Sequence, residues 1–287
     1  MARWLRYVIE RSPPAALSVV AAGITLSGLW MGGGAFDTTG FALAFAGLLL
    51  FMVLVRLADE LKDYEKDKVA HPKRPLPRGL VTPAEVRRAI RVLFGAMGGY
   101  AAVLALAAGW PAAALYAAST VWLWLMSEEF FAREALTPRP LFSAILHQLV
   151  LFPLYGFAVA VRGPELALGP PGLAYALANL GASMGYEVGR KLDPTAHPVL
   201  GYYVVRHGSR RCALIITGFM LVAAAGAWWL DGWQVLWPVE ALVLTTLPLL
   251  FIRPDLYRIV EHAAGLSVLV HVWSVPIRRA LEWLSSG

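Results

Sequence analysis

Residues 40–58 read GFALAFAGLLLFMVLVRLA, and this stretch decides the class of fold. Apart from two glycines and Arg56, every residue in it is hydrophobic. An α-helix needs about 20 apolar residues to cross the hydrocarbon core of a bilayer. The length of the run therefore predicts a membrane-spanning helix.

The composition of the whole chain supports the same class. Hydrophobic residues make up 58% of the 287 positions, charged residues only 15%, and the mean hydropathy is +0.60. A water-soluble fold carries roughly 25% charged residues. These values exclude a cytosolic enzyme, a secreted disulfide scaffold and a disordered protein. The single cysteine, Cys212, excludes an intrachain disulfide and a cysteine metal cluster.

Eight further apolar runs of similar length lie on both sides of residues 40–58. We expect one integral membrane domain over residues 1–287, an all-α polytopic bundle of about nine transmembrane helices. The predicted spans are 15–36, 40–58, 88–108, 111–129, 141–161, 171–189, 212–230, 233–252 and 258–277.

The basic residues predict the orientation. With the N-terminus inside, 22 of the 25 Lys and Arg fall on inner segments, and only Arg162, Arg278 and Arg279 fall outside. This is the bias that the positive-inside rule describes. It explains the net charge of +6 without nucleic acid as a partner. We expect an integral protein of a bacterial or archaeal inner membrane, with a cytoplasmic N-terminus and the lipid bilayer as a partner.

Two inner loops are long and rich in charge, 56–88 and 189–211. Their corresponding positions in the two halves of the chain, after the second and the sixth predicted span, suggest an internal repeat. We expect them to form the mouth of an active site.

The first loop carries an acidic ladder. If the second span continues as helix, Asp59, Asp63 and Asp67 recur at every fourth residue, and Glu60 joins them on one face. Stacked carboxylates repel one another unless a cation neutralises them. Oxygen ligands without His or Cys favour Mg²⁺, and all four acids are candidate ligands. The alternative is a solvated helix end with lysines as local partners.

A proline-set turn, His71-Pro-Lys-Arg-Pro-Leu-Pro-Arg-Gly79, follows the ladder with three cations, Lys73, Arg74 and Arg78. Carboxylates for Mg²⁺ beside Lys and Arg suggest a diphosphate site. The metal would bridge the diphosphate, and the cations would hold its remaining oxygens.

From Asp59 to Gly79 the chain resembles the first signature of the UbiA superfamily of intramembrane prenyltransferases. That signature has an Asn-Asp pair, further Asp residues four and eight positions after the Asn, and then Arg-Pro-Leu-Pro-x-Gly. Asp59 stands here in place of the Asn and Glu60 in place of the first Asp. The resemblance implies a UbiA-like bundle that moves an isoprenyl group from an isoprenyl diphosphate to an acceptor with Mg²⁺, and it makes Asp63 and Asp67 catalytic.

The second loop departs from the family's acidic second signature. Asn179, Ser183, Glu187 and Lys191 recur at four-residue steps, with Arg190 beside them. Glu187 matches the expected acid, and a cation takes the place of another. We expect Glu187 and Lys191 to be catalytic, and Arg190, Ser183 and Asn179 to bind substrate. A cation here would replace part of a second metal, so the pattern is compatible with one Mg²⁺ ion or with two.

His147 lies inside a predicted span, where polar groups are costly, and is a further candidate for substrate binding.

Two alternatives to the transferase remain open. One is a UbiA-type terpene cyclase, in which the carbocation is captured internally. The other is a non-catalytic transporter or lipid-binding protein, which would explain the spans but not four acids beside an Arg-Pro-Leu-Pro-Arg-Gly turn.

Overall fold

A computed structural model describes residues 2–32 and 35–286, and this part of the chain is helical without any strand. Its α-helices are α1 (Ala2–Arg11), α2 (Pro14–Met31), α3 (Thr38–Lys62), α4 (Tyr64–Ala70), α5 (Pro83–Ala107), α6 (Trp110–Ser127), α7 (Arg133–Leu136), α8 (Pro140–Gln148), α9 (Leu151–Ala160), α10 (Pro164–Ala167), α11 (Pro170–Gly189), α12 (Tyr203–Trp229), α13 (Trp233–Thr246), α14 (Leu249–Ile252), α15 (Tyr257–Val272) and α16 (Ser274–Ser286). The expected all-α membrane bundle is confirmed.

Helix starts follow local chemistry. Helices α2, α5, α8, α10 and α11 begin at a proline, whose fixed φ suits the first helical position. Thr82 and Glu85 form a reciprocal capping box ahead of α5. The side chain of Asp37 accepts the N–H of Thr39 at the start of α3.

The count of nine spans is not confirmed. Six helices in the described part are long and apolar enough to cross a membrane, or seven with the pair α15 and α16, which is bent by 70°. Helices α6 and α11, at the predicted spans 111–129 and 171–189, fall short because tryptophans in α6 and Gly, Pro and Asn in α11 lower their hydropathy. Within the predicted span 15–36, α2 ends at Met31, and residues 33 and 34 lie outside the described residues.

Helix α11 is a central helix of the bundle, which accounts for its small side chains. It packs against α9, α12 and α15. A Cβ atom on Gly226 of α12 would meet the backbone of Ala178, and one on Gly181 would meet the backbone of Ala223. Small residues at such crossings let two helices approach to van der Waals contact, the main source of helix association in a bilayer.

We therefore expect Gly226→Ala to lower the thermal stability of the purified protein by about 1–3 kcal/mol, because backbone atoms cannot move aside. Gly218, on the same helix, has open space at its Cβ position. Gly218→Ala should leave stability unchanged or raise it by up to about 1 kcal/mol. Equal effects in thermal unfolding in detergent would contradict the close contact.

A buried ion pair or shared proton joins α13 to α15. Glu240 and His271 are 3% and 0% exposed, and Glu240 Oε1 lies 3.1 Å from His271 Nε2. His271 Nδ1 lies 2.7 Å from the carbonyl oxygen of Ser267, which can only accept, so Nδ1 carries a hydrogen. One further proton must then lie between Nε2 and Glu240, and the pair as a whole is neutral.

Glu240→Gln should keep this contact, because its amide N–H can donate to Nε2. Glu240→Met has a similar size and no donor, and it should be less stable than Glu240→Gln by about 1–2 kcal/mol. Thermal unfolding of the two variants measures the difference. Equal stability would show that no proton is shared at this position.

Candidate active site

One polar cavity, hereafter the chamber, lies where the C-terminal ends of α3 and α11 meet the start of α8. Its volume is about 420 Å³. Its walls come from residues 56–74, 136–147 and 187–206, together with Arg11 and Glu129. The two long inner loops therefore contribute to a single cavity.

The acidic ladder forms because the helix hardly breaks after α3. Asp63 separates α3 from α4, yet its N–H donates to the carbonyl of Asp59 and its carbonyl accepts the N–H of Asp67. The i→i+4 pattern thus continues through the junction and keeps these three carboxylates on one side. All three line the chamber, as does Glu60.

Arginines hold two of the four carboxylates. Glu60 pairs with Arg11 of α1 and lies 3.9 Å from Arg56. Arg74 reaches both oxygens of Asp67 at 2.7 Å. Asp59 and Asp63 form no ion pair with any residue that the structure describes.

The second loop adds a carboxylate with two cations. Glu187 accepts from Arg190 Nε at 2.7 Å and pairs with Lys191. The Lys191 ammonium also lies 5.2 Å from the centre of the Tyr203 ring. All four residues line the chamber, so this part of the predicted site lines the same cavity as the acidic ladder.

His147 lies where the fifth predicted span is interrupted between α8 and α9. It lines the chamber, its Nε2 has no hydrogen-bond partner among the described residues, and its ring stacks on Phe130 with centroids 5.7 Å apart. Phe130 sits between Glu129 and Phe131, and all three have φ between 49° and 55°. Non-glycine residues rarely adopt this conformation, and such strain clusters at functional sites.

Four predicted binding residues lie outside the chamber walls. Asn179 is buried within α11 and donates to the carbonyl of Tyr175, and Ser183 is half-buried one turn further on. Lys73 is exposed in a neighbouring groove. Arg78 donates to Glu10 of α1 at 2.8 Å and 2.9 Å. The hydrogen bonds that Arg78 and then Arg6 donate to Glu10 lower the pKa of its carboxyl to about 2. The contact between Arg78 and Glu10 joins the proline-set turn to α1.

Arg11 and Tyr203 line the chamber although no sequence motif indicated them, and Arg56 lines it although it counted only toward the topology. Arg56 carried a usable signal, because a charge within a predicted span is rare unless it serves a function. Arg11 and Tyr203 carried none, since only the packing of α1 and α12 brings them to the chamber.

The donor groups of the chamber fit a divalent ion only together with substrate. No group of three or more His, Cys, Asp or Glu in the described part of the chain is arranged to hold a metal by itself. Mg²⁺ commonly uses one or two carboxylates and completes its shell with water and phosphate oxygens. Asp59 and Asp63 are free for this role, and Glu60 Oε2 is buried without a hydrogen-bond partner.

Comparisons with known proteins bear on the fold and the family of the chain. No curated protein matches the chain. A solved structure reported under "Structural and mechanistic insights into the biosynthesis of Digeranylgeranylglyceryl phosphate synthase in membranes" is similar in fold, with a TM-score of 0.64 and 14% sequence identity. The similarity covers 96% of this chain and 99% of that one.

The sequence model of the UbiA prenyltransferase family matches residues 21–274. That range holds both charged loops and every chamber residue named above except Arg11. It covers well over half of the chain, and the protein belongs to the UbiA prenyltransferase family.

Proposed function

We propose that the chamber binds the diphosphate of an isoprenyl diphosphate, and that the protein transfers the isoprenyl group to an acceptor in an Mg²⁺-dependent reaction. Family membership makes the protein an intramembrane prenyltransferase. The donor, the metal and the residue roles are our inference from the chamber.

The charge of the chamber is the observation that carries this proposal. Eight Lys and Arg and six Asp and Glu line it, an excess of two positive charges. Four of these six acids, Glu60, Asp67, Glu129 and Glu187, already pair with Lys or Arg side chains. A cavity of this charge suits a polyanion, and guanidinium groups match phosphate geometry.

Asp59 and Asp63 would hold one Mg²⁺ in this proposal. The ion would supply positive charge to the leaving diphosphate. The basic residues around it, Arg56, Arg190 and Lys191, would supply the rest. The surplus of basic residues favours one ion over two, because fixed cations already occupy the side where Glu187 stands.

The proposed reaction consists of one bond cleavage, one bond formation and one proton transfer. The allylic C–O bond breaks and both electrons leave with the diphosphate. A nucleophile of the acceptor forms the new bond to the allylic carbon and loses a proton. His147 is placed to receive it, because its Nε2 is unpaired at the chamber wall. The chain's contribution is therefore positioning and electrostatic stabilisation of the leaving group.

We also propose that the chamber opens to the cytoplasm of a bacterium or archaeon. The three arginines assigned to the outer side support this orientation. Arg162 donates to the carbonyl of Ala35, Arg278 to those of Leu230 and Asp231, and Arg279 to that of Trp30. These carbonyls lie at or next to the ends of α2 and α12 or in the connection between α2 and α3, away from the helix ends that line the chamber.

Asp63→Asn should reduce turnover by about 100-fold or more, because an unpaired carboxylate of the proposed Mg²⁺ site is lost. The assay is diphosphate release from labelled isoprenyl diphosphates of several chain lengths over a series of Mg²⁺ concentrations. Glu65→Gln is the matched control, since Glu65 is an exposed acid of the same segment that pairs with Lys68. Full turnover in both Asp63→Asn and Asp59→Asn would overturn the metal assignment.

Lys191→Gln should weaken inhibition by pyrophosphate about tenfold or more, because a charge-assisted contact to the leaving group is lost. The inhibition constant of pyrophosphate in the same assay measures this. Lys68→Gln removes an equal charge outside the chamber and should leave the constant unchanged. An unchanged constant in Lys191→Gln, in a protein of normal thermal stability, would remove Lys191 from the diphosphate site.

A further inference from the structure

A second cavity, hereafter the side cavity, lies beside the chamber. It is formed by the end of α3, the start of α5 and the end of α6, and its volume is about 590 Å³. This size falls within the range of small-molecule binding sites. Part of its wall is apolar, including Leu61, Ala84 and Ile90.

The charged part of the wall is predominantly basic. Four cations, Lys62, Arg87, Arg91 and Arg133, face two acids, Glu128 and Glu129. Arg87 and Arg91 are one turn apart on α5, so they lie on the same side of the helix. Both are exposed and form no ion pair with any residue that the structure describes. Two guanidinium groups are therefore available for an anion.

An ion-paired group, Glu129 with Lys62 and Arg133, lies between the side cavity and the chamber. Glu129 lies 3.4 Å from Lys62 and 3.5 Å from Arg133, and Glu129 and Lys62 line both cavities. Glu129 is followed by the strained residues Phe130 and Phe131. Phe130 packs edge-on against Trp122 and stacks on His147, and these contacts hold the turn in place. The side cavity is thus a separate binding volume beside the proposed diphosphate site.

The surroundings indicate what kind of anion fits. The exposed rings of Trp124 and Phe131 meet edge to face next to the cavity. Exposed aromatic pairs of this type are typical of the membrane–water interface. Further along α5, the apolar side chains of Val92, Val103 and Leu106 are exposed. A ligand here would have its anionic group between the arginines and its apolar part along the helix.

We propose that the side cavity binds the headgroup phosphate of an anionic membrane phospholipid, through Arg87 and Arg91. Arginine pairs with phosphate through two parallel N–H donors. The apolar wall contacts the part of the acyl chains that is next to the glycerol. Glu128, which has no ion-pair partner among the described residues, opposes the anion and limits its affinity. This inference concerns lipid binding and does not depend on transferase activity.

The test is a titration of the full-length protein in neutral detergent with phosphatidylglycerol, followed by its thermal unfolding. Phosphatidylcholine and free glycerol phosphate serve as separate arms. We expect phosphatidylglycerol to raise the melting temperature at lower concentration than either of the others. The double variant Arg87→Gln/Arg91→Gln should need about 25-fold more phosphatidylglycerol for the same effect. Glu128→Gln should need less than the wild type.

The matched control is Arg88→Gln/Arg210→Gln. It removes two exposed arginines that do not line the side cavity, so its titration should stay within about twofold of the wild type. Equal weakening in both double variants would overturn the site in favour of general charge attraction, and so would a wild type that phosphatidylglycerol does not stabilise. An equal effect of glycerol phosphate would overturn the assignment to a lipid. Asp63→Asn should keep the lipid effect, which separates this outcome from a failure of the proposed reaction.

Discussion

The structure depends on the neutralisation of carboxylates that would otherwise be buried as bare charges at one end of a membrane bundle. Each strongly buried acid of the chamber meets a cation from another part of the chain or from the next helical turn. Glu60 is held by Arg11, Asp67 by Arg74, and Glu187 by Arg190 and Lys191. Removing one partner of such a pair leaves an uncompensated buried charge, which is far more costly than the pair itself is stabilising. These pairs therefore fix the relative positions of the segments that carry them.

Helix α1 shows how far this constraint extends. The Tyr7 side chain is 1% exposed and packs with Leu57 and Leu76, and burial raises the pKa of its hydroxyl. Glu10 binds Arg78, and Arg11 binds Glu60 and accepts from Arg56 through its carbonyl. One short amphipathic helix thus joins the end of α3 to the proline-set turn. It supplies a cation to the chamber that no motif in the charged loops contains.

The apolar runs were sufficient to predict the fold class, because a bilayer demands long uninterrupted hydrophobic helices. They were less informative about the number of spans. Helix α11 is shielded by its neighbours, so its composition reflects close packing and its hydropathy is low.

The acidic ladder was predictable as one face, because i→i+4 spacing is a property of the helix itself. Which of its acids would be paired was not predictable, because the partner of Glu60 lies 49 residues away and that of Asp67 lies in the proline-set turn.

The sequence by itself determined a helical membrane protein with a row of acids beside a basic proline-rich turn, because both features are local and depend only on helix geometry and charge. Only the tertiary structure decided which acids remain without a cation, which arginines face the chamber and that a second basic cavity lies behind Glu129. Those outcomes depend on which helix ends meet in space. Contacts between distant helices follow from the packing of the whole bundle, and no short stretch of sequence specifies them.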